Sequence, residues 1–114
     1  MASFEAWDIV KVPFPHADRP IRQRRPALVI VAGELQSAHG LLWVLMITSA
    51  ENRSWPDDVV ISDFIASGLP APSTVRCAKL ATIEAKDAER IGTLARTDQA
   101  KIRRRLVRIL KQAM

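Results

Sequence analysis

The stretch "RQRRPALVIV", residues 22–31, joins three arginines to a proline and then to an unbroken apolar run. From Arg25 onward, "RPALVIVA" (25–32) predicts a buried strand. Pro26 stands at its very start, where a missing N–H costs no ladder bond. Arg25 is therefore anchored through its backbone while its side chain can still reach a groove. Its guanidinium carries a fixed positive charge and a planar fork of donors that fits phosphate oxygens. The plain alternative is a surface arginine on a strand terminus.

Working outward, the same pattern of short strands continues. "DIVKVPF" (8–14) alternates, with Ile9, Val12 and Phe14 set against Asp8 and Lys11, and Pro13 marks an edge or a strand end. "PHADRPIRQR" between the two strands is a polar loop, and "GELQSAHG" after the second is a turn-rich connection. "LLWVLMI" (41–47) is an uninterrupted apolar run, the mark of a strand covered on both faces, and Trp43 within it is assigned to the core. "TSAENRSWPD" reads as a loop and "DDVVI" (57–61) as a short strand. "SDFIASG" (62–68) predicts one or two helical turns, capped by Ser62 and ended by Gly68. "STVRCAKLATI" (73–83) alternates as a strand that bends midway, and "ERIGTL" (89–94) is a weaker strand candidate.

"TDQAKIRRRLVRILKQA" (97–113) closes the sequence as an amphipathic helix. Thr97 is its expected cap, Asp98 lies in the first turn, and Ile102, Leu106, Ile109 and Leu110 form the apolar stripe. The whole predicts one mainly β domain over residues 1–114. It is a small sandwich or barrel with a short inserted helix and a long C-terminal helix over part of it.

Composition narrows the classes. At 114 residues, 48% of them apolar and 25% charged, the chain suits one modest core and is not disordered. No apolar run approaches the ~20 residues that span a bilayer, and the N-terminal "MASFEAWDIVKV" carries acids where a secretory signal carries bases. A cytoplasmic protein with no membrane partner is expected. Cys77 is the lone cysteine and His16 and His39 sit beside turn residues, so neither an internal disulfide nor a zinc site is expected. No other metal and no cofactor is expected either. The net charge of +5 is uneven, because residues 86–114 hold nine basic and three acidic side chains. A polyanionic partner fits this excess, as does a solvated helix face.

Several groups besides Arg25 could serve a phosphate. Thr48 and Ser49 close the buried "LLWVLMI" strand, where hydroxyls are either rigidly held phosphate ligands or strand caps. "PSTVRCAK" (72–79) offers Ser73, Thr74, Arg76 and Lys79, fit for backbone contacts to nucleic acid or for an exposed strand face. Trp55, beside Pro56 in a polar loop, is the expected exposed platform for base stacking. The Asp57–Asp58 pair reads as a turn feature. Neither a nucleophile elbow nor a Gly-rich phosphate loop occurs.

Taken together, "WDIVKVPFP", "RRPALVIV", "LMITSA" and "VVISDFIASGLPAPSTVRCAKLATIE" resemble the MazF/PemK toxins of bacterial type II toxin–antitoxin modules, in family order over roughly residues 7–110. The resemblance implies an SH3-like barrel of the plasmid-maintenance-toxin type, usually a homodimer. It implies a metal-independent endoribonuclease that cuts single-stranded RNA by 2′-OH attack, leaving a 2′,3′-cyclic phosphate and a 5′-OH. The family's catalytic arginine falls on Arg25 and its catalytic threonine on Thr48, and an RNA-contacting serine falls on Ser73. Arg22 and Arg24 would then supply flanking charge to the RNA backbone or contact an antitoxin, with Ser49, Trp55, Arg76 and Lys79 as further RNA contacts. A cognate antitoxin with an acidic disordered tail is the implied protein partner. The loop "PHADRPIRQR" is shorter than in many relatives, so no cleavage sequence is carried over. Two other functions stand beside this one: a gyrase-poisoning toxin of the CcdB branch, and a non-catalytic RNA-binding or decayed toxin.

Overall fold

The computed structural model describes residues 2–13 and 23–114. Strands β1 (Asp8–Pro13) and β2 (Arg24–Val31) are followed by helix α1 (Gly33–His39) and strands β3 (Leu41–Ser49), β4 (Asp58–Val60) and β5 (Ser73–Glu84). A single 3₁₀ turn then leads into β6 (Glu89–Thr93) and helix α2 (Arg96–Lys111). The strands form one antiparallel sheet in the order β4-β5-β3-β2-β1-β6. Phe14, His16 and Arg22 lie outside the described residues.

Both faces of the sheet are packed, which is why β2 and β3 read as apolar runs and not as strict alternations. On one face Ile9, Leu28, Leu45, Ile47, Val59, Val75 and Cys77 meet Leu69, Leu94 and Ile102 of α2. On the other, Val10, Val12, Ala27, Val29, Leu42, Val44 and Ile83 are covered by Phe4 and Ala85. The predicted midway bend of β5 is a register break. Leu45 pairs Leu80 while Met46 pairs Arg76, so Cys77, Ala78 and Lys79 bulge out of the ladder.

The sheet's two edges are brought together by glycines. Ser67 and Gly68 follow β4 at one edge, yet they lie against Ile91 and Gly92 of β6 at the other. A methyl group at Gly68 would meet the Ile91 carbonyl, and one at Gly92 the Ser67 carbonyl. Gly68 also has φ +82, a conformation that side-chain-bearing residues rarely adopt. The segment between β4 and β5 thus fills the gap between the edges, giving the barrel-like curl.

Four local expectations change. "GELQSAH" forms a helix instead of a loop: its residues include good helix formers, Gly40 terminates it in the left-handed region, and Gln36 ties it to Ala2 and Phe4. The 62–68 segment makes one helical turn, with the Ser67 N–H bonded to the Asp63 carbonyl and Gly68 ending it, but its capping side chain is Asp63, which accepts from the Ala66 N–H, while Ser62 donates its N–H and hydroxyl to Asp98 at 2.9 Å each. Helix α2 begins at Arg96 after Ala95, so Thr97 lies inside the first turn and is not the cap. Trp43 is 40% exposed, because its end of β3 borders an open groove against α2 instead of a closed core. Among the described residues, no helix is long and apolar enough to cross a membrane.

Candidate functional site

Strand register brings the two principal candidates together. Ala27, Leu28 and Val29 of β2 stand opposite Met46, Leu45 and Val44 of β3. The pairing ends at Ala27–Met46; Arg25 on β2 and Thr48 on β3 each lie two residues beyond it, so alternation places both on the face of Ala27 and Met46. Arg25 is opposite Val12 of β1, and Thr48 is opposite Thr74 of β5. Val12 and Thr74 are buried, which anchors the backbone beside each candidate.

Arg25 is exposed and, among the described residues, its side chain meets only the Gln23 side-chain oxygen, at 3.4 Å. No carboxylate pairs with it among the described residues. Among the described residues its charge is thus uncompensated, and Thr48, at the end of the adjacent strand, is half-buried. Thr48 Oγ1 in turn accepts a hydrogen bond from Asn52 Nδ2 at 2.6 Å. Ser49, exposed at the strand end, accepts from the Glu51 N–H at 3.2 Å and so shapes the turn that presents Asn52.

The other cations and hydroxyls divide into free and engaged. Arg76 was expected on an exposed strand face, but it is buried. It donates to Asp58 at 3.3 Å and to the Arg53 carbonyl at 2.9 Å, and lies 4.1 Å from the centroid of the Trp55 ring. A guanidinium taken out of water needs such partners, and burial turns it toward them and away from solvent. Ser73 is likewise buried and donates its hydroxyl to the Ala71 carbonyl at 2.8 Å. Arg24 is exposed but latched to the Lys11 and Asp87 carbonyls, each at 3.3 Å, with Glu89 nearby. Lys79 projects from the β5 bulge and is exposed. Trp55 is 44% exposed, with Arg76 against its ring.

The turn reading of Asp57–Asp58 holds, and it conceals a division of labour. Asp57, at φ +71, accepts from Arg108 of α2 and lies 4.0 Å from Arg105, while Asp58 takes Arg76 and the Trp55 N–H. The loop 50–57 is thereby held to both α2 and β5. Two contributors escaped sequence reasoning here. Asn52 lay in a stretch read only as loop, although an amide four residues after a hydroxyl is a recognisable local pairing. Asp58 carried no sequence sign of its partner, 18 residues away.

A family model for the PemK-like, MazF-like toxin of type II toxin–antitoxin systems matches residues 5–110. A sequence search among curated proteins finds no match. Among solved structures, the chain is similar to MazF of Deinococcus radiodurans, with a TM-score of 0.77 at 22% identity over 97% of this chain and 99% of that one. A MazE–MazF complex of the same organism gives 0.74 at 20% identity, covering 96% and 97%. An endoribonuclease in complex with its cognate antitoxin, from a mycobacterial species, gives 0.71 at 15% identity, covering 93% of each chain. At these identities the structural likeness shows the fold.

Proposed function

Since the chain belongs to the PemK-like, MazF-like toxins of type II toxin–antitoxin systems, we propose that it is an endoribonuclease cutting single-stranded RNA through the RNA's own 2′-hydroxyl. The observation that supports this is Arg25, exposed and without a carboxylate partner among the described residues, on the same face and at the same end of adjacent strands as Thr48. RNA brings its nucleophile with it, so the protein has only to orient the backbone and stabilise a pentacoordinate phosphorane. The 2′-hydroxyl gives its proton to solvent water and its oxygen attacks phosphorus as the bond to the 5′-oxygen breaks; that oxygen takes a proton from water, leaving a 2′,3′-cyclic phosphate and a 5′-hydroxyl. Arg25 meets the developing negative charge. An arginine stays protonated under ordinary conditions, which suits it to stabilisation and not to proton abstraction. Thr48 holds a non-bridging oxygen, and Lys79, Ser49 and Trp55 remain exposed to contact the flanking RNA.

The test is cleavage of a mixed-sequence RNA by purified protein, with end-mapping of the products. Arg25→Ala should lower kcat by about 10²–10³-fold, the cost of removing one oxyanion donor. Unchanged cleavage would overturn the assignment.

The partners follow from the same reading. Solved relatives include complexes with MazE and with a cognate antitoxin, and an acidic disordered tail would be drawn to the exposed Arg25 and to α2, whose exposed side chains include Lys101, Arg104 and Lys111. A second copy of the chain is the occupant proposed for the groove between β3 and α2. That groove, about 370 Å³, is rimmed by exposed Val31, Trp43, Leu80, Val107 and Leu110. Contiguous apolar surface of this kind on a polar rim marks protein contact. We place the toxin in the cytoplasm, where its RNA is.

A further inference from the structure

Thr48 is held by a loop whose own fastening is unusually complete. The Asn52 N–H donates to the Ser49 carbonyl at 3.0 Å and the Ala50 N–H to Pro72 at 3.0 Å. Further along, Arg76 holds the Arg53 carbonyl, and Asp58 accepts the Trp55 N–H at 2.9 Å. Asp57 is fastened to α2 through Arg108. The amide of Asn52 is thus delivered to Thr48 from a fixed backbone.

A threonine hydroxyl has one O–H to donate and lone pairs to accept with. The Asn52 Nδ2–H donates into the Thr48 oxygen at 2.6 Å, so a lone pair is occupied and the O–H must turn elsewhere. No other described residue accepts it. Arg25, on the adjacent strand, has only donors and cannot. Among the described residues the hydroxyl hydrogen is therefore left without an acceptor, on the face that also carries Arg25.

We propose that Asn52 is a positioning residue: by donating to Thr48 Oγ1 it orients the threonine O–H as a donor toward a non-bridging oxygen of the scissile phosphate. This rests on the endoribonuclease reading above. It makes Thr48 a directed donor and not a freely rotating hydroxyl, and it gives the fastened loop a purpose. Asn52 acts through Thr48 and does not itself touch the reacting atoms.

The test is a double-mutant cycle of Asn52→Ala and Thr48→Val on the full chain, with kcat and KM measured on one RNA and folding checked by thermal unfolding. Asn52 is exposed, so its replacement leaves the fold intact. Asn52→Ala should lower kcat roughly 3- to 10-fold, as for one lost hydrogen bond, with KM little changed. In the Thr48→Val background the same change should cost nothing more, because the hydroxyl it orients is gone. Asn52→Asp, which turns the donor into an acceptor and draws the hydroxyl hydrogen away, should approach the activity of Thr48→Val. Independent, multiplying losses, or an Asn52→Ala protein as fast as a cleaving parent, would overturn the role of Asn52 alone. A parent that cleaves no RNA would overturn the endoribonuclease reading and this inference with it.

Discussion

A guanidinium left in water costs the fold little and remains available to a phosphate; one taken inside must bring its own carboxylate. Arg25 and Arg76 illustrate the two cases on neighbouring parts of one sheet. Arg25 keeps its charge exposed, whereas Arg76 and Asp58 neutralise each other under the Trp55 ring and stiffen the loop that carries Asn52. Cys77 is a further ionisable group inside the fold. Cys77 lies in the core, and burial pushes its thiol from 9.0 up to about 11; Arg105 pulls the other way and Asp58 adds to the rise, but burial dominates. An acid with a raised folded-state pKa holds a proton that the unfolded chain has already released. Stability should therefore fall as pH rises from about 9 to about 11. Denaturant midpoints at pH 8 and pH 11 should drop further for the parent than for Cys77→Ala. An equal drop would mean the thiol does not contribute.

At the scale of elements, the contact between the 62–68 turn and β6 decides how far the sheet curls. Gly68 and Gly92 are each needed because backbone sits where a Cβ would go. Gly92→Ala should therefore destabilise the protein by about 1–3 kcal/mol, the usual cost of forcing an atom into packed space. A control such as Ala78→Gly, on the exposed β5 bulge, lacks this constraint. Thermal unfolding of the two variants beside the parent checks the difference. The bulge itself has a second effect, since it projects Lys79 and Leu80 outward and places Leu80 on the rim of the α2 groove.

For the molecule as a whole, the distribution of apolar surface bears on assembly. Five of the large exposed apolar side chains (Val31, Trp43, Leu80, Val107 and Leu110) gather at one groove instead of scattering singly. Sedimentation of the parent should give twice the 12.7 kDa chain mass. Leu80→Glu, which sets a charge among those side chains, should shift the mass to that of one chain without unfolding it. A parent that sediments as a single chain at all concentrations would remove the homodimer from the proposal.

Sequence alone determined the strands, the long helix and the position of Arg25. Alternation, apolar runs and a proline at a strand start are local signals, read within a few residues. The family followed from the same blocks, "RRPALVIV" and "LMITSA" among them, and the match over residues 5–110 bears it out. Only the tertiary structure decided which candidates are free. Arg76 and Ser73 carry the composition of an RNA contact, yet they are buried and engaged by partners that no spacing rule identifies. Trp43 sits in the most apolar run of the chain and is nonetheless exposed, because that end of β3 borders a groove that no described residue fills. Helix α1 was hidden between two glycines that mimic a turn. Burial and pairing depend on what distant segments bring to the same place, and that information exists only once the chain has folded.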